Sequence, residues 1–227
     1  MLKQCLDTAP GIPRLRTRIY LDTWPADPAE LDDAATIVLT WEGWGQHLVN
    51  ARNPQRVQKL DKLMKRGAGL VCFHAATAVE KSVESYYLDW VGGNKSPDYS
   101  LHPMARGIDV TLADPQHAIC RGVGPMRFAE EEFYCKILFR PGDQRVQPIL
   151  TAMLPPERPE KQVIAWAVER ADGGRAFACT GPHYQASFQN EDLRRLALNA
   201  ILWTAQIDVP SGGVQSAVSP DDFRIAP

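Results

Sequence analysis

Two of the five histidines in this 227-residue chain stand at the ends of short apolar runs. His74 follows GLVCF (69–73), and His183 follows RAFACTG (175–181) after a single proline. Both runs are too short for buried helices and are rich in strand formers. In an open parallel α/β sheet, ligands bind outside the carboxyl ends of the strands. An imidazole there could act as general acid or base near neutrality, or ligate a metal. The plainer role for each is to satisfy backbone groups at a strand end.

A third segment of this kind is WEGWGQH (41–47), after the run TIVLTW (36–41). Glu42 could orient a histidine or accept from ligand hydroxyls, and His47 is a second polar candidate. Gly43 and Gly45 would let the backbone approach a ligand closely. Trp41 and Trp44 flank the loop, and an aromatic face suits a sugar ring because it packs against C–H groups and leaves the hydroxyls free. Trp44 is the better platform, because Trp41 ends a strand. Cys72 shares a strand face with His74, but its apolar neighbours Val71 and Phe73 favour an inert buried thiol. In EEFY (131–134), side chains of a regular strand alternate, so at most one of Glu131 and Glu132 enters a common site, and Tyr134 falls on the side of Glu132.

These groups need a scaffold. Asn53 as N-cap, Pro54 in the first turn and Gly67 beyond the end bracket a helix whose apolar face is Val57, Leu60, Leu63 and Met64. With TIVLTW before it and GLVCF after it, the unit is a right-handed parallel crossover. A second helix starts at Asn190 and aligns Leu193, Leu196, Ala197, Ala200 and Ile201. Further strands are expected at Ile108–Leu112, Phe133–Phe139, Gln147–Ala152, Val163–Val168 and Arg175–Thr180, and an irregular excursion around Pro155, Pro156 and Pro159. One domain over 1–210 and a surface extension over 211–227 are expected.

Composition narrows the function. With 25 basic against 27 acidic residues, the net charge of −2 offers no footprint for nucleic acid or an anionic membrane. The five cysteines are widely spaced, without CxxC, which fits reduced thiols in a cytoplasm better than disulfides or a zinc ribbon. Neither a run of about 18 apolar residues nor a secretory signal is evident.

The ordered series WPADPAELDDAATIVLTWEGWGQHLV (24–49), LMKRGAGLVCFHAA (63–76), YLDWVGG (87–93), EEFY (131–134), GGRAFACTGPHY (173–184) and LRRLALNAILWTAQIDVP (193–210) resembles the ThuA-like, or trehalose-utilisation, family. The resemblance implies a flavodoxin-like α/β fold related to class I glutamine amidotransferases, and a place in disaccharide or keto-sugar metabolism. His74 then occupies the position where related amidotransferases carry a cysteine nucleophile, and no Gly-x-Cys-x-Gly elbow is present. Glu42, His47, Glu132, Tyr134 and His183 match family positions. A further family histidine two places after His183 is Gln185 here, which disfavours a metal. His102 and His117 adjoin proline-containing turns, where capping or packing roles lead.

Members usually begin with a strand and a Gly/His loop, whereas KQCLDTAPGI at the start here looks like the helix that follows them. A sheet without that strand implies an exposed edge, for which a start codon called too late or a second copy of the chain covering the gap would each account. The expectation is an enzyme acting on a sugar or keto-sugar by acid–base chemistry. His74, Glu132 and His183 would be catalytic, with Glu42, Trp44, His47 and Tyr134 binding substrate. No cofactor is expected, and a divalent metal is the weaker option for which the ligand types are right. The alternatives are a sugar-binding or regulatory module without catalysis, and a metal-dependent hydrolase.

Overall fold

The computed structural model describes residues 1–21 and 23–223. Strands β1 (Thr36–Leu39) and β2 (Gly69–Phe73) flank helix α2 (Pro54–Lys65), with helix α1 (Leu2–Thr8) before them. Helix α3 (Glu84–Trp90) and a two-residue strand β3 (Gly93–Asn94) follow. The chain continues through β4 (Met104–Leu112), β5 (Met126–Glu132), β6 (Leu138–Phe139), β7 (Val146–Leu154), β8 (Glu160–Glu169) and β9 (Arg175–Cys179) to helix α4 (Glu191–Thr204).

Seven strands form one sheet in the order β1-β2-β9-β8-β7-β4-β5. The first three are parallel and the rest join antiparallel. β3 and β6 make a separate small ribbon. Parity along β2 and β9 divides the core. Leu70, Cys72, Ala176 and Ala178 face α2 and α3, while Val71, Phe73, Phe177 and Cys179 face α4. The result is a three-layer α/β arrangement of the flavodoxin-like kind. Among the described residues β1 pairs only with β2 and is the sheet's edge, with Val38 36% exposed.

Both helices expected from their caps form. Asn190 Oδ1 accepts from the Leu193 N–H at 3.1 Å, as an N-cap does. Asn53 occupies the cap of α2 without a side-chain bond to the helix, and its amide nitrogen donates to Asn50 Oδ1 at 3.1 Å. At the other end of α2, buried Arg170 donates to Met64 O (3.3 Å) and Ala68 O (2.5 Å), and also to Trp90 O (3.2 Å). One guanidinium thus ties α2 and α3 together beneath the sheet.

The strand expected at Phe133–Phe139 is corrected. Pairing with β4 covers Met126–Glu132, and the chain then bends through Lys136 at φ +55° before β6. The stretch after 210 is more than a surface extension over its described part. Val214 is fully buried, its N–H donates to Asn199 Oδ1 of α4 at 2.8 Å, and Ser216 meets Arg194 at 2.9 Å. The last four positions of that stretch lie outside the described residues.

Candidate active site

His74 is the first residue past β2, at φ +48°, a left-handed conformation that costs a non-glycine residue about 1 to 2 kcal/mol. The turn is closed by Thr77 Oγ1 donating to His74 O at 2.6 Å. It swings the imidazole across the neighbouring strand end, where Nδ1 donates to Thr180 O at 2.8 Å. That bond places the ring proton on Nδ1 and leaves the Nε2 lone pair facing the cleft.

Two groups converge on that lone pair. The Tyr134 hydroxyl lies 3.2 Å from Nε2, and Nδ1 of His183 lies 2.9 Å away. The Glu132 carboxylate is 3.7 Å from His183 Nδ1 and 3.9 Å from His102 Nδ1. Burial, helped by repulsion from His183, Lys95 and His102, pushes His74 down to about 4, so its imidazole is neutral at neutral pH. Burial, with the negative charges of Glu132 and Glu42, holds the Tyr134 hydroxyl well above the ordinary tyrosine value. Tyr134 therefore remains a proton donor.

Glu131 and Glu132 point opposite ways, as strand alternation requires. Glu132 enters the cleft. Glu131 is fully buried and accepts from the N–H groups of His183 (2.9 Å) and Glu132 (2.8 Å) and from Ser187 Oγ. It fastens the loop that carries His183, a positioning role that sequence reasoning passed over, although the same alternation pointed to it.

The loop after β1 packs over the turn after β2, as neighbouring parallel strands require. The Trp44 N–H donates to Ala78 O at 2.5 Å, and a Cβ on Gly43 would lie 3.1 Å from both Ala75 O and Ala78 Cβ. The close approach that Gly43 permits is thus to the protein's own backbone rather than to a ligand. Gly45 has open space around it. Glu42 is exposed, and near enough for its charge to act on Tyr134. Trp44 is 39% exposed, also in the left-handed region at φ +49°.

The structure does not bring His47 into the cleft. It is 1% exposed, its Nδ1 accepts from the Val49 N–H at 2.9 Å, and its Nε2 lies 3.2 Å from Ala76 O and 3.0 Å from the Tyr87 hydroxyl. With both nitrogens engaged by the fold, His47 is part of the scaffold. Cys72 is buried, its thiol pushed up to about 12 by desolvation, so the thiolate needed for nucleophilic attack is suppressed. His117 caps a short turn, accepting from the Ile119 N–H at 3.1 Å, and packs edge-on against Trp203. His102, by contrast, stands at the mouth of the cleft, edge-on to Tyr134.

One site residue had no signal in the sequence. Lys95, directly after β3, is 2% exposed, and its ammonium sits 3.7 Å from the Trp44 ring centre and 4.9 Å from that of Tyr134. The cleft is thus lined by His74, His183, Glu132, Tyr134, Lys95 and Trp44. One ligand atom from each of His74, Glu132 and His183 lies within 4.8 Å of the others, a set of the right types for a divalent ion.

The fold has solved counterparts. A protein described as ThuA-like from Parabacteroides merdae superposes with a TM-score of 0.64 at 16% identity, over 97% of this chain and 86% of that one. A second, from Bacteroides uniformis, gives 0.60 at 16% identity over 81% and 76%. A cytoplasmic protein from Salmonella typhimurium gives 0.60 at 14% identity over 89% and 85%. At these identities the likeness is one of fold. None of the curated proteins compared with the chain matches it. The ThuA family model, described as trehalose utilisation, matches residues 19–204. With the model covering most of its length, the chain belongs to the ThuA family, whose description places it in carbohydrate metabolism.

Proposed function

We propose that the protein is an enzyme acting on a sugar or keto-sugar by acid–base chemistry, with His74 and His183 moving protons, Tyr134 donating one and Glu132 orienting or accepting. The observation that carries this reading is the convergence of Tyr134 and His183 on the one lone pair of His74, whose other nitrogen is locked to Thr180 O. A neutral imidazole held in one tautomer, with a donor on one side and a second imidazole on the other, is arranged to accept a proton and pass it on. Trp44 and Glu42 offer an apolar face and a hydroxyl acceptor beside it, which suits a carbohydrate ring.

Hydrolysis, elimination and isomerisation of a keto-sugar all need such groups. The test is turnover of a panel of keto-disaccharides by the wild type and by His74→Ala. The expected result is turnover in the first and none in the folded variant. Sugar binding without turnover in the wild type would instead support a binding or regulatory module. The working compartment proposed is the cytoplasm, in keeping with five free buried cysteines. No described helix is long and apolar enough to cross a membrane. A second copy pairing along the open β1 edge is proposed as the oligomeric contact, which light scattering checks.

The second reading, metal-dependent hydrolysis, is favoured by the closeness of the His74, Glu132 and His183 ligand atoms. Elemental analysis of protein purified without chelators distinguishes it. About one equivalent of a divalent metal, removed together with activity by a chelator, supports that reading, and far less than one counts against it.

A further inference from the structure

Lys95 is placed in the cleft by its own segment of backbone. Its N–H donates to Thr77 O at 2.9 Å, and the side chain of the preceding Asn94 accepts from the Val79 N–H at 2.9 Å. The ribbon is thereby fixed to the turn that carries His74. The side chain is almost entirely buried, yet its ammonium makes no hydrogen bond or ion pair among the described residues. Two aromatic faces, Trp44 and Tyr134, stand where acceptors would be expected.

An ammonium set between two aromatic faces with no protein acceptor is poorly solvated, and cation–π contacts offset only part of that cost. Burial accordingly pushes Lys95 down to about 8, with the charge of Glu132 acting the other way. Roughly one molecule in ten then carries a neutral amine at pH 7. Exposed Lys65 and Lys81 differ in kind, because Asp61 and Asp98 hold their ammonium groups above the ordinary value.

We propose that Lys95 is a nucleophile that captures the carbonyl carbon of a ketone- or aldehyde-bearing sugar as an imine. This rests on the acid–base reading of the same cleft and narrows its substrate to carbonyl compounds. The neutral Nζ lone pair forms the N–C bond while the carbonyl π pair moves to oxygen, which takes up a proton. Nitrogen then releases a proton, and the hydroxyl leaves as water after a second protonation. The product is the protonated imine, and the net change is amine plus carbonyl plus one proton to protonated imine plus water, with no oxidant or reductant.

Protonated, the imine places a positive charge between the faces of Trp44 and Tyr134 and near Glu132, all of which favour it. It also acidifies the C–H bonds next to the former carbonyl. The Tyr134 hydroxyl, on the ring that touches the Lys95 ammonium, lies 3.2 Å from His74 Nε2, the base that would take such a proton.

The experiment traps the imine. Full-length protein is incubated with trehalose bearing one ring carbon oxidised to a ketone, and in parallel with dihydroxyacetone, each with sodium cyanoborohydride. Peptides are then mapped by mass spectrometry. The expected adduct, the mass of the probe less one oxygen, forms at Lys95 at least about tenfold faster than at Lys65 or Lys81, and is absent from folded Lys95→Arg. Labelling of Lys95 no faster than of those two lysines, with either probe, overturns the proposal and leaves Lys95 as packing beneath Trp44. Turnover of the keto-disaccharide without Lys95 labelling would keep the acid–base reading and discard the imine. Labelling without turnover would do the reverse.

Discussion

Nδ1 of His183 lies 2.9 Å from Nε2 of His74, although 109 positions separate them in the chain. Groups that pass one proton act as a unit, so their losses should not add. His74→Ala and His183→Ala are each expected to lower kcat by about 100-fold to 10,000-fold on a substrate the wild type turns over, with the double variant little worse than His74→Ala alone. Steady-state kinetics of the three variants checks this. Independent, multiplicative losses would separate the two residues.

Tyr134→Phe keeps the ring beside Lys95 and removes only the hydroxyl that faces His74. The expected effect is a fall in kcat of about 10-fold to 100-fold with KM nearly unchanged. A rise in KM at constant kcat would assign the hydroxyl to substrate binding instead.

Glu131 touches no part of the open cleft but anchors the His183 backbone. Glu131→Gln puts an amide among three donors, and about 1 to 3 kcal/mol of stability should go with the unsatisfied contacts. Activity at a temperature where the variant is fully folded should also fall, by about 10-fold or more, as His183 shifts. Thermal melts paired with kinetics test both, and full activity in the folded variant would refute the positioning role.

His47 makes acid stability measurable. Burial depresses its folded value to about 4, below the ordinary 6.5, so the unfolded chain binds the extra proton first. Its contribution is therefore complete above about pH 6.5 and is lost as the pH falls toward 4, amounting to about 3 kcal/mol. Urea unfolding of the wild type should weaken across that window. His47→Gln, less stable at pH 7, should show a flatter slope, and equal slopes would contradict the assignment.

How far the sequence could be read depends on how local each signal is. Helix α4 and strand β2 are legible because the cap Asn190, the apolar stripe and the run GLVCF lie within one short window. β5 is harder. Met126 and Phe128 flank Arg127, but three consecutive glutamates follow Ala129, and only pairing with β4 marks the whole stretch as a strand. The histidines at strand ends could be singled out because topology aims them. His47 shares their residue type and loop, but Tyr87, 40 positions on, claims it for the interior. Lys95 carries no local mark at all, since its burial comes from Trp44 and Tyr134, each far away in the chain.

The sheet order has a consequence for synthesis. β9 inserts between β2 and β8, so β2 has β1 as its sole sheet partner until the polypeptide has been made through Cys179. The Thr180 carbonyl that fixes the His74 tautomer, and His183 itself, then leave the ribosome together with that strand. A nascent chain can thus carry the first half of the cleft, Lys95 included, long before it can hold a proton there. The cleft is completed only when the fold closes around β9.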